Sequence, residues 1–157
     1  MTAEMFQALM LPVVEAIGDR PLDAMLGDHL NAAFPADGEM VRAVEAACHQ
    51  AIAAGWMCAQ GGDGRRFGRV IEATPATGNL SVDVVDLISI VGPHHTHPNG
   101  EICLVMPVDA GAKFCEKPRG WCVFRPGSAH FPTVTDGRAL VLYLLPGGAI
   151  EFTGEKY

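Results

Sequence analysis

His95-Thr96-His97-Pro98-Asn99-Gly100-Glu101, answered downstream by Gly127-Ser128-Ala129-His130, sets four ligand-type side chains at spacings that extended backbone can bring together. On a strand His95 and His97 project to one face because side chains alternate, and a Pro-Asn-Gly turn lets Glu101 return to that face from the next strand. Three ligands are therefore expected from one hairpin, with His130, just past the Pro126-Gly127 turn, closing the site from a second. Three imidazoles and a carboxylate suit a borderline first-row ion, so the expected cofactor is a divalent transition metal. Ligand type alone does not separate iron, zinc, manganese and nickel. The competing reading, a solvated loop or hydrogen-bonded core histidines, is weakened by four such residues in this order. His94 has the opposite parity, which assigns it a supporting or surface role.

Outward from these segments, the chain beyond Gly55 reads as strands punctuated by turns. Phe67 to Ala73 and Leu80 to Val91 are rich in β-branched residues, and Ala139 to Leu145 is almost continuously apolar before Pro146-Gly147-Gly148. Gly61 to Gly64 reads as a flexible loop, and Pro98-Asn99-Gly100, Asp109-Ala110-Gly111, Pro126-Gly127 and Asp136-Gly137 are turn chemistry at hairpin intervals. Evenly spaced strands of this kind predict a mainly β fold, a single jelly-roll barrel over residues 57–157. There is no internal repeat and no low-complexity segment.

Residues 1–56 have helical periodicity instead. Phe6, Leu9, Met10, Val13, Val14 and Ile17 form one stripe, with Pro12 marking a kink or a late start. Leu22, Met25, Leu26 and Leu30 form a second, with Pro21 in its first turn, and Val41, Val44, Cys48, Ala51 and Ile52 a third, capped by Gly55. The expectation is a helical segment packed on the barrel or on a partner subunit, which makes a homo-oligomer plausible.

Charge and cysteine usage exclude several classes. A net charge of −7 without a basic cluster argues against nucleic acid or an anionic membrane as partner. Five cysteines without a CxxC pair suggest neither a disulfide framework nor a zinc ribbon. With no signal-like start and no long apolar run, a reduced, cytoplasmic setting is expected.

Parity also nominates cavity residues. Cys103 shares the face of Glu101, as a cavity residue or a small buried filler. Arg66, Arg69 and Arg125 lie in or beside strands, where a guanidinium grips an anion, pairs with an acid or is solvated at an edge. Arg69 is the candidate for a substrate carboxylate, with an ion pair to Asp83 or Asp86 as its rival. Tyr143 is a candidate hydrogen-bond donor to substrate, or a core tyrosine with its hydroxyl at the rim. Trp56 and Trp121 are expected to be packing residues.

The HxHxxxE pattern with its later GxxH resembles the two motifs of the cupin superfamily, over about the last three-fifths of the chain. Gly92 lies nearer the first histidine than that pattern has it, and Val134 stands where an asparagine often follows the last one. Over nearly the whole length, Phe67-Gly-Arg-Val70, Ser81-Val-Asp-Val-Val-Asp86, Val91-Gly-Pro-His-His95, His97-Pro-Asn-Gly-Glu101, Pro126-Gly-Ser-Ala-His130 and Ala139-Leu-Val-Leu-Tyr-Leu-Leu-Pro146 resemble the 4-hydroxylaminobenzoate lyases. That resemblance implies a small aromatic acid as substrate, converted to 3,4-dihydroxybenzoate with release of ammonia. Glu101 would then be either a metal ligand or the acid and base of the reaction. Two other functions use the same residues: an iron(II) dioxygenase acting on a catechol or thiol, and a non-catalytic module that binds a small acid. A sugar isomerase fits the apolar strands less well.

Overall fold

In the computed structural model, which describes residues 1–157, the helical stripes and the β-rich segments become two layers on one sheet. The first stripe is helix α1 (Ala3–Ile17), with Phe6, Met10, Val13 and Ile17 buried. The Thr2 hydroxyl caps it by accepting from the Met5 amide, and the helix runs through Pro12 without a late start. Helix α2 (Ala24–Ala33) begins later than Pro21 suggests, because the Asp23 carboxylate accepts from the Leu26 amide and fixes the first turn there. Helix α3 (Glu39–Ala53) ends as expected at Gly55, which has φ +88°. The Gly55 and Trp56 amides bond back to the Ile52 and Ala51 carbonyls, the paired bonds of a Schellman ending.

Ten strands follow. They are β1 (Gln60–Gly62), β2 (Arg65–Ile71), β3 (Leu80–Val91), β4 (His95–His97), β5 (Glu101–Pro107), β6 (Lys113–Phe114), β7 (Gly120–Phe124), β8 (Ser128–His130), β9 (Thr133–Pro146) and β10 (Glu151–Phe152). Seven of them form one antiparallel sheet in the order β1-β2-β3-β9-β5-β7, with β6 pairing β9; the other three form a small sheet, β10-β4-β8. The fold is mainly β, two antiparallel sheets with an N-terminal helical segment, and the sheets are not joined into one closed barrel.

The large sheet is covered on both faces, and the apolar run in β9 is the result. Leu140, Leu142 and Leu144 join Ile102, Leu104 and Met106 under the three helices. The alternate residues Ala139, Val141, Tyr143 and Leu145 join Cys103 and Val105 on the opposite face, toward the small sheet. A strand buried on both sides needs apolar residues at every position, so polar alternation disappears.

Three turn expectations change. Gly61 to Gly64 is half of a short hairpin, with β1 paired to β2. Asp136-Gly137 does not reverse the chain; it lies within β9, where φ values of +62° and +126° accompany a register shift against β3. The Pro98–Gly100 turn joins no hairpin, since β4 pairs β8 and β10 whereas β5 pairs β7 and β9. It carries the chain from one sheet to the other.

Candidate metal centre and adjoining cavity

That crossing brings the four predicted ligands together from opposite walls. In the small sheet His95 lies directly across from His130, and His97 across from Ser128. Glu101 enters from the large sheet and is fully buried with His97, while His95 is nearly so. One ligand atom from each of His95, His97, Glu101 and His130 falls within 4.8 Å of all the others.

The spacing and chemistry of these atoms fit a cation. The Nε2 atoms of His95 and His130 are 3.1 Å apart, His97 Nε2 is 2.8 Å from Glu101 Oε2, and His130 Nε2 is 3.6 Å from that same oxygen. An ion about 2.1 Å from each ligand separates neighbouring ligand atoms by roughly 3.0–3.4 Å. His97 Nε2 and both Glu101 oxygens are buried without a hydrogen-bond partner. A buried carboxylate in that condition is costly unless a cation satisfies it. Burial, reinforced by repulsion from His95 and His97, pushes the His130 imidazole down to about 3, and burial lowers His95 as well. Both are thus held in the neutral, electron-donating form that a metal requires. The four residues could hold a divalent ion.

Neighbouring side chains aim the imidazoles. Ser128 Oγ lies 3.0 Å from His97 Nδ1, and Cys115 Sγ 3.6 Å from His130 Nδ1. Donation from each Nδ1–H outward leaves each Nε2 lone pair directed inward. Phe124 packs against His97 and His130, with ring centroids 5.8 and 4.6 Å away. Ser128 shares the parity of His130 two residues on, a signal the sequence offered; Cys115 sits at a positive-φ turn far from any motif.

Beside His95 opens a cavity of about 290 Å³, walled by Phe67, Val85, Leu87, Ile150 and Phe152. Tyr143 and Arg69 both line it, as does Asp83. The Tyr143 hydroxyl has no hydrogen-bond partner within the protein, and burial, followed by the Glu101 charge, raises its pKa above the usual phenol range. Arg69 donates through Nε and Nη2 to the two Asp83 oxygens at 3.0 and 3.2 Å, so the rival reading of that residue describes its contacts. Cys103 is fully buried on the cavity-side face. Arg66 and Arg125 are exposed and stand apart from the cavity. His94 contacts Thr153 Oγ1 and Glu155 and so tethers the segment that follows β10. Trp121 packs in the helix-side core and donates to the Phe34 carbonyl; Trp56 packs against the same core.

The family model for 4-hydroxylaminobenzoate lyase (PnbB) matches residues 8–152. The chain belongs to the 4-hydroxylaminobenzoate lyase family. It is 29% identical over 152 residues to the 4-hydroxylaminobenzoate lyase of Nocardioides sp. (strain LMS-CY), covering 90% of this chain and 89% of that protein. With the enzyme of that name from Pseudomonas putida the identity is 26% over 161 residues, covering 92% of each. Among solved structures, a protein with a cupin-like fold from Ralstonia eutropha JMP134 aligns at a TM-score of 0.38 and 17% identity, covering 54% of this chain and 56% of that one. No helix is long and apolar enough to cross a membrane.

Proposed function

We propose that this protein is a metal-dependent lyase that converts 4-hydroxylaminobenzoate to 3,4-dihydroxybenzoate and ammonia. The observation that carries the reading is the convergence of His95, His97, Glu101 and His130 beside an aromatic-walled cavity, in a member of this lyase family. The overall change consumes one water and releases one ammonia. The N–O bond breaks with its oxygen leaving as water, a second water adds to the adjacent ring carbon, and a third hydrolyses the resulting imine. A divalent ion held by the three histidines and Glu101 would supply Lewis acidity toward the departing oxygen and a water of lowered pKa.

The chain's own residues do the rest. Phe67, Leu87 and Phe152 give the ring apolar surface to pack on. The Tyr143 hydroxyl, free of protein partners, donates a hydrogen bond to the substrate's polar end, and the Arg69–Asp83 pair forms a fixed polar wall alongside it. Glu101 is a ligand throughout, or, where the histidines alone hold the ion, the base that takes a proton from attacking water and returns it to the leaving nitrogen.

The test is an anaerobic assay of metal-replete protein with 4-hydroxylaminobenzoate, following ammonia and 3,4-dihydroxybenzoate. Wild type should turn over without oxygen, His97→Ala should lose activity by at least about a hundredfold, and Glu101→Gln should lose it with metal content separating its two roles. Absence of turnover in wild type, or undiminished turnover in His97→Ala, overturns the reading. Substrate-dependent oxygen uptake would assign a dioxygenase instead.

A further inference from the structure

We infer that Arg65 is the residue that recognises the carboxylate of the ligand, so that the cavity takes a singly charged aromatic acid with its anionic end away from the histidines. The aromatic acid rests on the proposed function; the anion site rests on how the charges of β2 are matched. Strand β2 carries three arginines. Across the ladder on β3, Arg69 stands opposite Asp83 and Arg66 opposite Asp86. Arg65 stands opposite Leu87, and its neighbour on the other side, in β1, is Gly62. Asp86, however, is taken by Arg138, at 2.8 and 2.9 Å, so only Arg69 is paired with an acid; Arg66 is exposed and outside the cavity, and Arg65 has no acid across from it.

Of the two arginines that line the cavity, one is paired and the other is not. Arg69 gives Nε and Nη2 to Asp83 and Nη2 also to the Gly148 carbonyl, and its Nη1 lies 3.5 Å from Glu72, so its donors and its charge are taken up. Arg65 is half-buried, lines the same cavity, and makes no ion pair or side-chain hydrogen bond within the protein. Its guanidinium carbon sits 4.7 Å from the centroid of the Phe67 ring, a cavity wall. With no protein acceptor on it, the planar guanidinium has N–H donors to offer, and a pair of them matches a carboxylate through two parallel bonds. In a chain with 18 acidic and 11 basic residues, an arginine left unmatched beside an aromatic cavity is the feature to explain. A ligand carboxylate explains it, with the ring lying on the apolar wall between Arg65 and His95.

The experiment measures binding of benzoate and its neutral isostere benzamide to the purified metal-replete protein by calorimetry. Wild type should prefer benzoate on the order of tenfold or more, as expected for a charge-assisted pair. Arg65→Leu should abolish the preference and leave benzamide binding unchanged; Arg65→Lys should retain part of it. A wild type indifferent to the charge, or a preference that survives Arg65→Leu, as it would if Arg69 or the metal held the carboxylate, overturns the inference. If Arg65→Leu binds neither ligand, Arg65→Lys decides: restored preference supports the charge role, and loss of both ligands at unchanged melting temperature overturns it. Failure of the lyase assay with the Arg65-dependent preference intact would refute the reaction and leave the anion site standing.

Discussion

Ser128 and Cys115 illustrate how much of the site depends on single atoms outside the ligand set. Each faces the Nδ1 atom of a clustered histidine, His97 or His130, and leaves the Nε2 atom directed inward. Ser128→Ala should weaken affinity for Zn(II) or Fe(II) by roughly 10- to 100-fold while leaving the fold intact, as measured by competition with a chromophoric chelator. An unchanged affinity would mean that packing by Phe124 orients His97 by itself. At this scale the sequence was informative where chemistry is local: the convergence of four ligand-type side chains and the separation of His94 from them follow from spacing over the eight residues His94 to Glu101 and one later motif. The roles of the arginines were not legible. Whether Arg65, Arg66 or Arg69 meets an acid depends on the β2–β3 register, and that pairing is a property of two strands that no single residue announces.

Between elements, one amide adds a paired hydrogen bond to the packing that joins α2 to the edge strand β7. Asn31 Nδ2 donates to the Trp121 carbonyl and Asn31 Oδ1 accepts from the Trp121 amide, both at 2.9 Å, so the side chain imitates a neighbouring strand. Gly120, at φ +124°, leaves room for it, since a Cβ there would stand 2.9 Å from Asn31 Oδ1. Asn31→Ala should lower unfolding free energy by about 1–3 kcal/mol in a urea titration, with metal affinity unaffected. Strand identities were readable because β-branched runs and apolar continuity report burial, and β3 spans the very residues its composition indicates. The Asp136-Gly137 pair misled because a bulge and a hairpin turn demand the same thing, residues that accept positive φ. The Pro98–Gly100 turn misled differently: turn chemistry shows that the chain bends, and says nothing of which sheet receives it.

At the scale of the molecule, the helices and the sheet share one hydrophobic core. Leu140, Leu142, Leu144, Ile102, Leu104 and Met106 face α1, α2 and α3, and would meet water without them. The full chain should therefore unfold in a single cooperative transition, and a fragment of residues 57–157 should not fold, showing dispersionless NMR spectra or aggregation. A well-folded fragment would mean that the strands stand alone. The alternation along β9 has one more result. Positions 139, 141, 143 and 145 face the cavity side while 140, 142 and 144 face the helices, so adjacent codons answer to different demands. Selection for a new ligand can work on one set and leave the other, which keeps the scaffold foldable, untouched; chemical novelty and structural tolerance are here interleaved along a single ribbon of backbone.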